Sequence, residues 1–377
     1  MKIIADNKIP YLKGAFEAIA TVEYYPGAKI DSQIVKNGDA LITRTRTKCN
    51  KDLLTHSSIQ MIASATIGFD HIDTTFCEAN NIQWTNAPGC NSGSVKQYIS
   101  AVLGLLVEEK EWTLKGKRIA VVGVGNVGSK VSALCKALGM EVYEIDPPRA
   151  RAETDKPFYN LQDVIDKIDI ITFHTPLTHE GTDKTYHLCD ETLLKKMKPG
   201  CVVINTSRGE VVDGQALKNA LTNQEIGLAV LDVWEHEPEL ERGLLELVWI
   251  ATPHIAGYSQ DGKANGTRMS VRAISKKFNL GMDDWQPGDL PQPQFPKLII
   301  DCKHLTIDEI AANAFLHTYD LRADDQRLRN SPINFEKQRG DYPVRREFRA
   351  YQIQLENGIL QYEKLLQSVG FEKVTTI

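Results

Sequence analysis

Three charged side chains in the middle of the chain, Arg208 in NTSRGEVVD, Glu237 in WEHEPE and His254 in TPHIAGYS, have the types needed to oxidise an alcohol beside a carboxylate. An imidazole takes the hydroxyl proton, a carboxylate next to it fixes the tautomer and favours the protonated ring, and a guanidinium fork holds the substrate carboxylate. The hydride needs an acceptor that no side chain supplies, so a cofactor is required. Upstream, VVGVGNVG offers a place for one.

Gly123, Gly125 and Gly128 make a GxGxxG turn directly after a strand-like run and at the start of a helical one. Glycines there permit a tight turn and close approach of a pyrophosphate, with the backbone of Asn126 and Val127 facing it at a helix N-terminus. Asp146 ends the next strand-like run, eighteen residues after Gly128, where an acid binds adenosine ribose hydroxyls. NAD is expected over NADP, although Arg149 in DPPRA is near enough to pair with a 2′-phosphate. Strand ends further on carry Thr175, Asp232 and, past His254, Gly257, all candidate cofactor contacts, whereas His174 is expected to make a structural hydrogen bond. No zinc or other metal site is legible in the spacing of histidines and cysteines.

These residues are spaced by six strand candidates with helices between them: RIAVVG, MEVYEID, DIITFH, CVVINTS, GLAVLDVW and LVWIAT. Such alternation predicts a doubly wound α/β sheet with its polar residues at the carboxyl ends of the strands. Before it, KIIAD, TVEYYP, DALITR, IQMIASAT and IQWTNA alternate with helical candidates such as YLKGAFEAI and FDHIDTTFCEAN, predicting a second, smaller parallel sheet. SVKQYISAVLGLLVEEK reads as a long helix joining the two, and GKANGTRMSVRAISKKFNLGM as one returning to the first sheet. DDWQPGDLPQPQFP reads as a linker to a tail with a strand-like KLIID and amphipathic helical candidates, including RREFRAYQIQLENGILQYEKLLQSVG. The expected domains are 1–93 with 256–285, 94–255, and 286–377.

The 377 residues, 42% of them hydrophobic, suffice for more than one core, and a net charge of −5 argues against a nucleic-acid partner. Seven scattered cysteines and no membrane-length apolar run point to a cytoplasmic protein without a disulfide framework.

Through GVGNVG, HTPLT, INTSRGEVVD, LDVWEHEP and TPHIAGYS the chain resembles the D-2-hydroxyacid dehydrogenase family over most of residues 1–285. The resemblance implies a Rossmann dinucleotide-binding domain, a flavodoxin-like substrate (lid) domain, and Arg208, Glu237 and His254 as the catalytic residues. TRTKCN, SATIGFDHID, NAPGCNSGSV, DPPRA, HIAGYSQDGKA and the long tail are similar to the branch of that family serving vitamin B6 synthesis. That likeness implies NAD-dependent oxidation of 4-phospho-D-erythronate, substrate contacts by Thr45, Thr66 and Tyr258, and a small α+β C-terminal domain that makes a homodimer. Arg44, Arg46, Arg345 and Arg346 are candidate cations for the substrate phosphate. The alternatives are a 3-phosphoglycerate dehydrogenase or hydroxypyruvate reductase, and an NAD-sensing scaffold without catalysis.

Overall fold

In a computed structural model, which describes residues 1–153, 155 and 157–377, the chain divides into two compact units. One comprises residues 1–91 and 259–291, the other residues 92–258 and 292–377.

The first unit holds five parallel strands, β1 (Lys2–Asp6), β2 (Thr21–Tyr25), β3 (Ala40–Thr43), β4 (Met61–Ser64) and β5 (Gln83–Thr85), in the order β2-β1-β3-β4-β5. This is the flavodoxin-like order. Ile3, Ile4, Leu41, Ile42 and Ile62 are fully buried, because both faces of such a sheet are covered and its inner strands are mostly apolar. The helix Gln260–Phe278 packs on β4, capped at its start by the Ser259 hydroxyl on Gly262 N–H at 2.8 Å. Gly266 allows that approach, since a Cβ there would meet the Ala65 carbonyl oxygen at 2.4 Å. YLKGAFEAI, expected as a helix, is a run of turns instead. Its apolar spacing suits a helix, but Tyr11 and Gly14 adopt φ of 63° and 92°, which no right-handed helix accommodates.

In the second unit all six expected strands form: β6 (Arg118–Val122), β7 (Glu141–Ile145), β8 (Ile170–Phe173), β9 (Val202–Asn205), β10 (Leu228–Leu231) and β11 (Ile250–Ala251). They run parallel in the order β11-β10-β9-β8-β6-β7. The chain leaves β6 for β7 on one side and returns to β8 on the other, which opens the ligand crevice of an open α/β sheet at the carboxyl end of β6.

Residues 292–377 belong to this same unit. Their strands β12 (Lys297–Asp301), β13 (Gln352–Glu356) and β14 (Lys373–Thr376) are all parallel, with helices in the crossovers. The helix Ile307–Thr318, started by a Thr306/Glu309 capping box, packs along the helix Ser92–Lys110. Gly104 brings the two backbones together, for a Cβ there would be 3.5 Å from Ala312 Cα. The helix Leu321–Asn330 covers β11: Asp325 accepts from Ala251 N–H at 2.7 Å, pairing an edge that would otherwise be open. RREFRAYQIQLENGILQYEKLLQSVG is not one helix. Gln352–Glu356 forms β13 because Ile353 and Leu355 alternate with polar neighbours, Asn357 turns at φ 54°, and only Leu360–Val369 is helical.

Candidate active site

Strand order places the expected residues in two groups. The glycine turn, Asp146 and Thr175 follow β6, β7 and β8, three adjacent strands, while Arg208, Glu237 and His254 follow β9, β10 and β11, the next three. Parallel strands put all six carboxyl ends on one edge of the sheet.

At the first group, Gly123 has φ 85° and a Cβ on it would meet the His174 carbonyl oxygen at 2.7 Å. A Cβ on Gly128 would lie 1.9 Å from the Gly123 carbonyl oxygen, whereas one on Gly125 would meet nothing within 4 Å. Two glycines therefore build the turn, and the third keeps its exposed outer side clear beside Asn126, with Val127 opening the helix Gly128–Ala137. Asp146 accepts from Val124 N–H at 2.8 Å and Arg149 N–H at 3.2 Å, which fixes the turn and leaves its carboxylate further acceptor sites. Arg149 is gripped by Glu153 through Nε and Nη2 at 2.6 and 2.8 Å, so its fork is already occupied. The Thr175 hydroxyl is buried with no partner among the described residues, an orphan that a ligand at this edge would satisfy. His174 has the structural role expected of it, bonding Thr172 through Nε2 at 3.1 Å and Thr206 through Nδ1 at 3.3 Å; burial pushes its pKa down to about 3.

At the second group, His254 Nδ1 is 2.8 Å from Glu237 Oε2. A carboxylate oxygen only accepts, so Nδ1 carries the proton and Nε2 keeps its lone pair. The other Glu237 oxygen accepts from Trp234 N–H at 2.9 Å, and the Trp234 indole donates to the Thr252 carbonyl at 3.0 Å. His254 itself stands at φ 55°, a conformation rarely taken by a residue with a Cβ and found at constrained functional positions.

The loop holding His254 in that conformation is tied from both sides. Asp232 is 1% exposed and accepts from Ile255 N–H at 2.7 Å, Ala256 N–H at 2.9 Å and the Thr252 hydroxyl at 2.7 Å. Thr252 in turn accepts from the buried Tyr98 hydroxyl at 2.8 Å. Arg345 Nη2 donates to the Ile255 and Ala256 carbonyls at 3.1 and 2.6 Å. Its guanidinium lies over Tyr319, 4.4 Å from the ring centroid. Burial disfavours its charge, but Tyr342, Tyr319, Asp324 and Asp232 outweigh that and hold its pKa above the usual range. The same two residues thus give their N–H groups to an anion and their C=O groups to a cation. The Asp232 carboxylate thus fixes this loop, and its Oδ2, which accepts from Ala256 N–H, keeps a further acceptor site. Desolvation raises its pKa, the nearby His254 opposing.

Arg208 is exposed, its backbone extended and its Nη1 donating to the Ser207 carbonyl at 2.7 Å. Asn205, fully buried, donates to the Arg208 carbonyl at 2.8 Å and accepts from Ser207. Gly209 joins this loop to the acid: a Cβ there would fall 2.0 Å from the Trp234 carbonyl carbon and 2.5 Å from Glu235 N. That contact, which sets Arg208 one residue from the loop of Glu237, explains the glycine in SRGEVVD and was not legible in the sequence. Behind it His187, Asp213 and Glu235 converge. His187 Nε2 pairs with Glu235 at 2.7 Å while Asp213 and Glu235 cap the helix Gly214–Thr222, so the cluster braces the loops. Tyr258 follows the loop of His254 and meets Tyr342 edge-on, ring centroids 5.9 Å apart. In the first unit, exposed Thr45 follows β3, and Thr66 follows β4 with its hydroxyl on Ser64 Oγ at 2.8 Å; these are the ends of adjacent strands. Arg345 and Arg346, candidates for a phosphate, are 4% and 7% exposed. No local pattern signals that Arg345 reaches Ile255, ninety positions earlier.

The sequence matches two family models, the D-isomer specific 2-hydroxyacid dehydrogenase NAD binding domain at residues 106–256 and a domain of unknown function at 290–370. Erythronate-4-phosphate dehydrogenase of Bacteroides fragilis is 49% identical over 354 residues, which is 94% of this chain and 99% of that protein. The enzyme of that name from Salmonella arizonae is 37% identical over 99% of both chains. Among solved structures, D-lactate dehydrogenase of Aquifex aeolicus, complexed with NAD and lactic acid, superposes with a TM-score of 0.60 at 24% identity, covering 78% of this chain and 100% of its own. On this evidence the chain belongs to the D-isomer-specific 2-hydroxyacid dehydrogenases, in the branch of the erythronate-4-phosphate dehydrogenases.

Proposed function

We propose that the chain oxidises 4-phospho-D-erythronate at C2 to (R)-3-hydroxy-2-oxo-4-phosphooxybutanoate, with NAD as acceptor, an early step of vitamin B6 synthesis. The observation that carries the chemistry is the His254–Glu237 pair at 2.8 Å on a loop fixed from both sides; relatives matched over nearly the whole chain supply the substrate.

With Nδ1 committed to Glu237, His254 offers the Nε2 lone pair to the C2 hydroxyl proton, and the Glu237 carboxylate steadies the imidazolium that results. Arg208 holds the substrate carboxylate and draws electron density from the forming ketone. NAD, when bound, supplies the acceptor for the hydride leaving C2. The open side of Gly125, the backbone of Asn126 and Val127, the Asp146 carboxylate and the Thr175 hydroxyl would hold it, and the engagement of Arg149 by Glu153 favours NAD over a 2′-phosphorylated cofactor. Gly257 joins this group, and Thr45, Thr66 and Tyr258 are the proposed substrate contacts.

A homodimer and a cytoplasmic location complete the reading. The tail exposes Phe295, Ile299, Ile333, Ile359 and Leu360, which supports a partner surface on residues 286–377. All seven cysteines are unpaired and buried, and no described helix is long and apolar enough to cross a membrane. The test is NADH formation from 4-phospho-D-erythronate beside D-3-phosphoglycerate. Strong preference for the four-carbon acid is expected; preference for phosphoglycerate would replace this substrate with that one.

A further inference from the structure

A phosphorylated substrate needs a cation two carbons beyond the reacting centre, and the arginines expected for it in the tail are both enclosed, at 4% and 7% exposure. Arg345 gives Nη2 to the loop of His254 and lies over Tyr319, with its Nε and Nη1 shut in the same buried place, and the Arg346 backbone is held by Gln97 at 2.8 Å. A different arginine of the tail faces the site. Arg339 stands one turn after Phe335, which is fully buried in the core beneath the dinucleotide-binding sheet, and Gln338 pins the same helix to the Arg327 and Ser331 carbonyls at 3.1 and 2.9 Å. Its guanidinium lies over the ring of Tyr258, 5.7 Å from the centroid, four residues past His254. Its Nε is buried and finds no acceptor among the described residues. Nη1 pairs with Glu336 at 2.7 Å, a carboxylate half exposed and replaceable by a dianion. The Glu237 carboxylate also acts on this charge, after burial and the larger influences of Tyr258 and Glu336, which places the cation in the field of the acid/base pair.

We propose that Arg339 recognises the terminal phosphate of the substrate, an inference that rests on the function proposed above. A planar fork with one unsatisfied donor and one weakly held one suits a phosphate oxygen pair. The tail then has a reason to exist in this branch: 78% of this chain already matches the whole D-lactate dehydrogenase, while the erythronate-4-phosphate relative spans 94% of it. The extension brings to Tyr258 the guanidinium of Arg339.

The experiment compares full-length wild type, R339Q and R339K with 4-phospho-D-erythronate and with D-erythronate, and adds inorganic phosphite to the unphosphorylated acid. The preference for the phosphorylated substrate, as a ratio of kcat/KM values, is expected to fall about 100-fold in R339Q, the loss of a charged hydrogen-bonding pair. R339K, a charge without a fork, should fall between, and phosphite should activate wild type but not R339Q. Unchanged thermal unfolding and NADH affinity would accompany this result. Equal losses on both substrates, or an unchanged ratio, would overturn the assignment while leaving the enzyme's function intact. A wild type with no preference for the phosphorylated acid would instead refute the functional reading, and the role of Arg339 with it.

Discussion

Replacing Arg345 by Gln tests the idea that a cation from the tail sets the geometry of catalysis. The substitution removes a charged donor from two buried carbonyls; Ile255 O keeps its bond from Tyr258 N–H at 2.9 Å, but Ala256 O loses the 2.6 Å bond from Arg345. A buried carbonyl left without a partner costs about 1–3 kcal/mol. The charge also leaves Asp232 and Asp324 in low dielectric, where breaking a buried ion arrangement costs about 3–5 kcal/mol. Asp324 retains the hydroxyls of Tyr319 and Tyr342 at 2.7 and 2.6 Å, so the lower end applies and the sum is about 4 kcal/mol. A domain of ordinary stability survives that loss, and R345Q should fold with a lowered urea midpoint. Displacing His254 by a fraction of its reach is worth on the order of 10–100-fold in rate. Because Arg345 touches the loop and not the substrate, kcat should fall with KM nearly unchanged, and Lys should restore part of the stability but not the rate. Wild-type kcat in a variant destabilised by less than about 1 kcal/mol would refute the clamp; a rise in KM alone would return Arg345 to the substrate phosphate.

Other consequences follow from contacts already described. Gly125→Ala should fold with an unchanged melting temperature and lose at least about tenfold in NADH affinity by fluorescence titration, whereas Gly128→Ala, whose Cβ would meet a carbonyl oxygen at 1.9 Å, should lose more than about 3 kcal/mol of stability. Glu153→Gln frees the Arg149 fork, and the ratio of kcat/KM for NADP to that for NAD should rise roughly tenfold. His174 is held neutral, with its pKa depressed from 6.5 to about 3. The unfolded chain therefore binds a proton the native state refuses as pH falls below 6.5, and stability is lost across that window, by about 2 kcal/mol at pH 5. His174→Asn should flatten this acid limb in denaturant titrations; identical pH profiles would assign the loss to other groups.

The strands of both large sheets were legible because burial on two faces narrows the choice of residue: runs such as VVIN and IITF are buried throughout, mostly β-branched and short. Where local pattern and backbone geometry disagreed, geometry won. YLKGAFEAI carries helical spacing and no helix, and the period-two signal of QIQLE is lost inside a stretch that also fits a helical stripe. The His254–Glu237 pair was legible because the chemistry proposed for it limits the residue types. The residues that hold it were not: the strand end marks Asp232 as a cofactor contact but does not show that it ties Ile255 and Ala256, and nothing local distinguishes Arg339 or Arg345 from a solvated arginine. Their roles depend on contacts spanning some eighty to ninety positions, which exist only after the tail has docked.

Docking of the tail also decides how its role in assembly can be tested. The helix Ser92–Lys110 is buried on nearly every side from Ser94 to Val107, a pattern that requires cover beyond the sheet it lies on. Ile307–Thr318 provides that cover, with Phe315 5.6 and 6.5 Å from the rings of Phe348 and Phe371, which stack on each other at 4.4 Å. A chain truncated near Gln286 would expose this stripe, leave the β11 edge without Asp325 and free the loop of His254 from Arg345. It should aggregate and lose activity, whatever the oligomeric state of the intact protein, so truncation does not measure dimerisation. Charged substitutions at exposed apolar positions, Ile299→Asp with Leu360→Asp, leave the docked core untouched. If the tail pairs two subunits, light scattering of that variant should give the 42.2 kDa of one chain where the unaltered protein gives twice as much. A soluble, active, truncated chain would refute the reasoning, because it would show that the long helix and the catalytic loop hold their places without the tail.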